Sequence, residues 1–130
     1  MTSYLSVQEV IVINTETVRR FGGTHGIRDA GALEAAVGRP QTGYYKDIVE
    51  EAAALFESLS QNHPFIDGNK RTAGMAMFTF LQLNGLEPIA SEADYYVTMM
   101  AVASGQMSKE ELAAWVQTVV RGAPPDVTTE

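Results

Sequence analysis

Residues 62–85 read NHPFIDGNKRTAGMAMFTFLQLNG. The stretch divides in two. Its first half is a loop, because a residue that precedes proline is pushed out of the α region and His63 precedes Pro64. Its second half is a helix. Asn69 is a suitable N-cap, and the helix runs to Asn84 and stops at Gly85. From Ala73 to Leu83 it is apolar almost all round, with Met75, Ala76, Met77, Phe78, Phe80, Leu81 and Leu83. A helix apolar on every side belongs in the centre of a fold.

Helix signals recur on both sides of this stretch. Ser6 and Glu9 form a capping box for a first helix that Gly22 and Gly23 end. Val7, Val10, Ile11, Val18 and Phe21 share its inward face, although Val10–Ile13 taken alone could also be a strand. Asp29 caps a short helix from Ala30 to Val37, with Gly38 as its stop. After Pro40, residues Gln41 to Lys46 read as a loop or a small hairpin. Asp47 and Glu50 open the next helix, which buries Ile48, Ala52, Leu55, Phe56 and Leu59. Ser91 and Asp94 start a fifth helix carrying Tyr95, Tyr96, Met99, Val102 and Ala103. Ser108 and Glu111 are a second capping box, opening a sixth helix with Leu112, Trp115, Val116 and Val119 inward. No strand pattern competes strongly. The expected class is all-α: six helices around a central one, in one domain over residues 1–122, with a frayed tail over 123–130.

Totals narrow the function. A chain of 130 residues suits one domain with a single core. It has no cysteine, which removes disulfides, thiolate nucleophiles and Cys-based zinc sites. Net charge is −7, so general nucleic-acid binding is disfavoured and a basic partner segment is attracted. The N-terminus lacks the basic and apolar regions of a signal peptide, and no apolar run is long enough to span a bilayer. The cytoplasm is the expected location.

Against that acidic background the loop reverses sign. The start of the helix after it offers unpaired N–H groups at the positive end of the dipole, a ready anion site. Gly68 permits close backbone approach, and Asn69, Lys70 and Arg71 add donors and charge. The expected ligand is a polyphosphate. Asp67 is a suitable Mg²⁺ anchor when phosphates and water complete the shell. His63 carries an imidazole, a side chain that can take a proton from a hydroxyl. Together these are parts for transfer from a nucleotide to a hydroxyl.

Each residue also has a structural reading. His63 could bond a helix end, Asp67 could be a turn residue or a cap, and Asn69 could be only an N-cap. Lys70 and Arg71 could be a solvated first turn, although cations there oppose the dipole. Phe65 reads as a core anchor for the loop, and His25 as an exposed loop residue.

The eleven residues from His63 to Ala73 resemble the signature of the Fic/Doc superfamily, most closely its Doc branch of toxins from toxin–antitoxin pairs. The stretches 26–29 (GIRD), 38–41 (GRPQ) and 83–85 (LNG) add to the likeness, which covers roughly residues 5–121. The resemblance implies an all-α fold, His63 as general base, Asp67 as Mg²⁺ ligand, and Gly68, Asn69, Lys70 and Arg71 as a phosphate nest. Residues 41–46 fall where the family has a flap that docks its target. Adenylylating Fic proteins have glycine at the position of Lys70 and a second arginine at that of Gly74. Both departures disfavour the adenylylating pose of ATP. The Doc branch implies instead transfer of the γ-phosphate of ATP to a Ser or Thr hydroxyl, with elongation factor Tu as target and translation arrested. The inhibitory pattern Ser/Thr-x-x-x-Glu-Gly/Asn is not found, so restraint is expected from a Phd-like antitoxin. The alternatives are an adenylyltransferase and a catalytically idle binding module. An HD-type metal hydrolase fails on ligand count, since His63 and Asp67 lack the further ligands it needs.

Overall fold

A computed structural model describes residues 1–122. The expected tail, 123–130, lies outside the described residues. Six helices form: α1 (Val7–Phe21), α2 (Ala30–Gly38), α3 (Ile48–Gln61), α4 (Asn69–Leu83), α5 (Glu92–Ala103) and α6 (Lys109–Thr118). Five of them start as their sequences dictate. Ser6 and Ser108 complete capping boxes with Glu9 and Glu111. The side chains of Asp29, Asp47 and Ser91 accept the N–H groups of Ala32, Glu50 and Asp94. Each cap satisfies a donor that the first turn leaves open.

The core lies between α3 and α4, which pack on each other and bury Ala52 and Ala53 of one helix and Ala73 and Ala76 of the other. Small residues let the two backbones approach closely, while Phe56, Phe80, Leu55 and Leu81 fill the surrounding space. Helix α3 is the more enclosed of the pair. Almost every residue of it is buried, and it also meets α2, α5 and α6. Helix α4 is central but not covered all round: Met75 and Leu83 are exposed and Phe78 is half-buried. Apolar composition alone therefore overstated the enclosure of α4. Alanines, serines and one glutamate hid the greater enclosure of α3.

Other differences have local causes. Helix α2 ends at Gly38, but the chain does not turn away there. The chain tightens into a 3-10 turn over Arg39–Thr42, with Pro40 in its first turn, where its missing N–H costs nothing. The left-handed residue that redirects the chain is Gly43, at φ +81°. The stretch 41–46 forms no hairpin. Phe21, expected inward, is 57% exposed, because as the last residue of α1 it lies over Arg71 instead. Trp115 is half-buried, and Val119 lies past the end of α6.

Two short strands were not expected. β1 (Leu86–Pro88) and β2 (Val120–Gly122) pair antiparallel with Leu86 opposite Gly122. Strands of this length carry too little alternation to read, and their pairing is remote in sequence. Their sheet ties the end of α4 to the end of α6.

Candidate active site

The loop between α3 and α4 lies against the segment that leads into α2. Ile27 and Phe65 form an antiparallel bridge, and the Ile66 N–H donates to Gly26 O at 3.0 Å. The carbonyl of Pro64 accepts from the backbone N–H groups of Arg28 and Asp29, at 2.7 and 3.0 Å. Phe65 is buried beneath the loop as its anchor. His63 is exposed and holds φ +50°, a left-handed conformation costing a non-glycine residue about 1–2 kcal/mol. The Arg28 side chain meets this strained turn, its Nε donating to His63 O at 2.6 Å and its Nη2 to Asn62 O at 3.0 Å.

Helix α4 begins differently from the other five. Its N-cap is Gly68, at φ +79°, and no side chain caps it. A Cβ at Gly68 would stand 3.3 Å from Val18 and 3.4 Å from Asn14, so both conformation and space favour glycine here. Asn69, the expected cap, does something else. Its Oδ1 accepts the Phe65 N–H at 2.9 Å and its Nδ2 donates to Phe65 O at 3.0 Å. The side-chain amide thus pairs with one residue's backbone as a neighbouring strand would. The first helical N–H bonded to a carbonyl is that of Thr72, to Gly68 O. The N–H groups of Asn69, Lys70 and Arg71 stay open at the positive end of the dipole.

Asp67 stands at the same place. Its Oδ2 accepts the Thr24 N–H at 2.8 Å, and its backbone carbonyl accepts from Asn14 Nδ2 at 2.9 Å. Asn14 is 1% exposed and its Nδ2 also reaches Thr72 Oγ1 at 3.0 Å, tying α1 to both the loop and α4. Lys70 and Arg71 are exposed, and among the described residues neither joins an ion pair. The Arg71 guanidinium sits 4.2 Å from the centre of the Phe21 ring.

These residues line one open cleft of about 280 Å³: His63, Ile66, Asp67, Gly68, Asn69, Lys70 and Arg71. All six sequence-derived candidates come together there, and the structure adds Ile66. The flap stretch 41–46 does not line it. Tyr44 is exposed on another face, and Tyr45 Oη accepts from Arg39 Nε at 2.7 Å. His25 is exposed, as expected. Asn14 and Arg28 escaped the sequence reading as parts of the site. A signal for Asn14 existed, since it is an amide in line with Val10 and Val18 on the apolar face of α1. Arg28 had only its place in the stretch 26–29.

One carboxylate in a cleft does not cage a metal. Among the described residues no group of three or more His, Asp or Glu side chains assembles. Among the described residues Asp67 Oδ1 has no protein donor and Oδ2 has one, which leaves the carboxylate able to anchor Mg²⁺ if substrate phosphates and water completed the shell.

The chain is similar to known proteins. The Fic/DOC family model matches residues 4–81. "Toxin Doc" of Mycolicibacterium smegmatis is 44% identical over 99 residues, covering 72% of this chain and 73% of that protein. "Protein kinase doc" of Escherichia phage P1 is 32% identical over 114 residues, covering 85% and 90%. By the extent of the family match and of both alignments, the chain belongs to the Fic/DOC family.

Proposed function

We propose that the chain is a Doc-like toxin that phosphorylates a protein. It transfers the γ-phosphate of ATP to a Ser or Thr hydroxyl of elongation factor Tu and so inhibits translation. The observation that carries the reading is the one uncapped helix start: open N–H groups, two cations, a carboxylate and an imidazole face one cleft. The names of the two relatives support the same reading. The domain spans residues 1–122, and the site of action is the cytoplasm.

In this reading the N–H groups of Asn69, Lys70 and Arg71 receive the phosphates, with the two side chains adding charge. His63 accepts the proton of the target hydroxyl as its oxygen attacks the γ-phosphorus. The bond from that phosphorus to the bridging oxygen breaks, and ADP leaves. Mg²⁺, held by Asp67, neutralises phosphate charge when bound. Gly68 gives the phosphates room, and Asn69 holds the loop.

Two observations favour γ-phosphate over AMP transfer. Lys70 brings a long cationic chain to the first turn. At Gly74 an added Cβ would meet the Met99 side chain, so a second arginine there would need Met99 to move aside. Restraint by a Phd-like antitoxin is supported by a second feature. A groove of about 520 Å³ adjoins the cleft through Arg71 and is walled by Phe21, Met75, Phe78, Tyr95, Tyr96 and Met99. Phe21, Met75 and Tyr96 are each about half exposed, which suits an amphipathic segment that folds onto the groove and covers Arg71.

The test is incubation with purified elongation factor Tu and either γ-labelled or α-labelled ATP. Label from the γ position alone is expected. Label from the α position means adenylylation and removes the role given to Lys70 and Gly74. No label from either leaves an idle binding module.

A further inference from the structure

We infer that Arg28 is a positioning residue for transfer, holding the backbone of His63 in the conformation that aims its imidazole. The inference rests on the reading of His63 as the base.

Among the described residues the His63 ring makes no hydrogen bond to protein. Its direction is set by its backbone alone, and that backbone is left-handed, at φ +50°. Such a conformation persists only where neighbours over-determine it. Here one residue makes three of the contacts around it. Three successive carbonyls, those of Asn62, His63 and Pro64, all accept from Arg28: two from the guanidinium and one from its backbone N–H. The planar fork of arginine suits two adjacent acceptors, which a lysine ammonium cannot match in direction. Arg28 is itself placed from both sides. Ile27 bridges Phe65, and Asp29 caps α2. The left-handed turn at His63 is thereby referenced to α2 as well as to α3.

A purely structural role predicts something different. Helix α3 already closes, with the Asn62 N–H on Ser58 O, and the Arg28 bonds lie at the exposed surface where water can replace them. Losing Arg28 should therefore leave the fold in place and free His63.

The test uses the full chain with Arg28→Ala and Arg28→Lys, γ-labelled ATP and purified target. Expected for Arg28→Ala is a kcat at least about tenfold lower with KM for ATP within about twofold. Arg28→Lys should fall between it and wild type. Backbone chemical shifts of His63 should leave their left-handed values in Arg28→Ala while those of the α3 core residue Phe56 stay put. A kcat within about twofold of wild type, or His63 shifts that do not move, overturns the inference. So does equal loss in both variants together with shifts moving throughout α3, the mark of a structural role. A wild type that transfers no label removes the kinase reading instead, and the shift measurement then decides on Arg28 by itself.

Discussion

The two ends of α4 use the same residue for opposite purposes. At its start Asn69 pairs through both amide atoms with the backbone of Phe65. At its end Asn84 pairs through both amide atoms with the backbone of Ser3, and its Nδ2 also reaches Phe80 O. Asn84 is 0% exposed, with Tyr4 stacked on Phe80 beside it. Asn69 is half-buried and stands at an open helix start, beside two cations that join no ion pair among the described residues and an exposed imidazole. One amide closes the fold by fastening the N-terminal segment over the core. The other keeps a loop in shape so that polar groups around it stay unsatisfied. An open end is stable only because its backbone is held by side chains behind it, namely those of Asn14, Arg28 and Asn69.

If the open end is for chemistry, the largest loss should come from a residue that holds nothing there. His63→Ala is expected to lower γ-phosphate transfer by about 10²–10⁴-fold, as loss of a general base does. Its melting temperature should stay at or slightly above that of wild type, since an alanine there loses no ring contact. An unchanged rate would remove the division between the two ends.

Asn69→Ala separates holding from reacting. It takes both bonds from Phe65 and should let the loop shift relative to the helix start. A transfer rate lower by about 10²-fold is expected, because displacements of about 1 Å cost that much. Stability should fall by about 1–2 kcal/mol, softened by access of water to the half-buried site. At the other end Asn84→Ala should reverse the pattern. Its groups are fully buried, so chemical denaturation should show about 2–3 kcal/mol of destabilisation, while the rate per folded molecule stays that of wild type. Equal effects of the two substitutions on rate would mean that the ends are coupled and the contrast is false.

The contrast was only half legible in sequence. Five helix starts announce themselves because a cap and the N–H that donates to it are three residues apart, a purely local relation. The sixth start looks local too, and Asn69 was read by the same rule. Gly68 takes the cap position instead, because only a left-handed residue lets the loop turn back on α1. The cleft residues were legible because they are consecutive. What holds them was not: Asn14, Thr24 and Arg28 meet the loop across 34 to 53 positions of sequence. The β1–β2 pair and the outward turn of Phe21 were hidden for the same reason, being set by what lies opposite in space.

The smallest effect tests the closed end from its other side. Glu51, in the first turns of α3, is 9% exposed. Its Oε2 accepts from Tyr4 Oη at 3.2 Å, while its Oε1 is buried with no partner among the described residues. Burial raises its carboxyl pKa, and the charge of Asp47 adds to that against the opposing Tyr4 bond. A raised folded-state pKa favours the protonated form in the fold. The stability this represents is fully present below the unfolded pKa and is lost as pH rises through the folded one. Glu51→Gln removes the charge and keeps the shape. In urea titrations across pH, the variant should match wild type in acid and gain on it as pH rises. A difference that does not vary with pH would show that Glu51 is paired in its charged form. The closed end would then hold a satisfied ion rather than a group the fold prefers neutral.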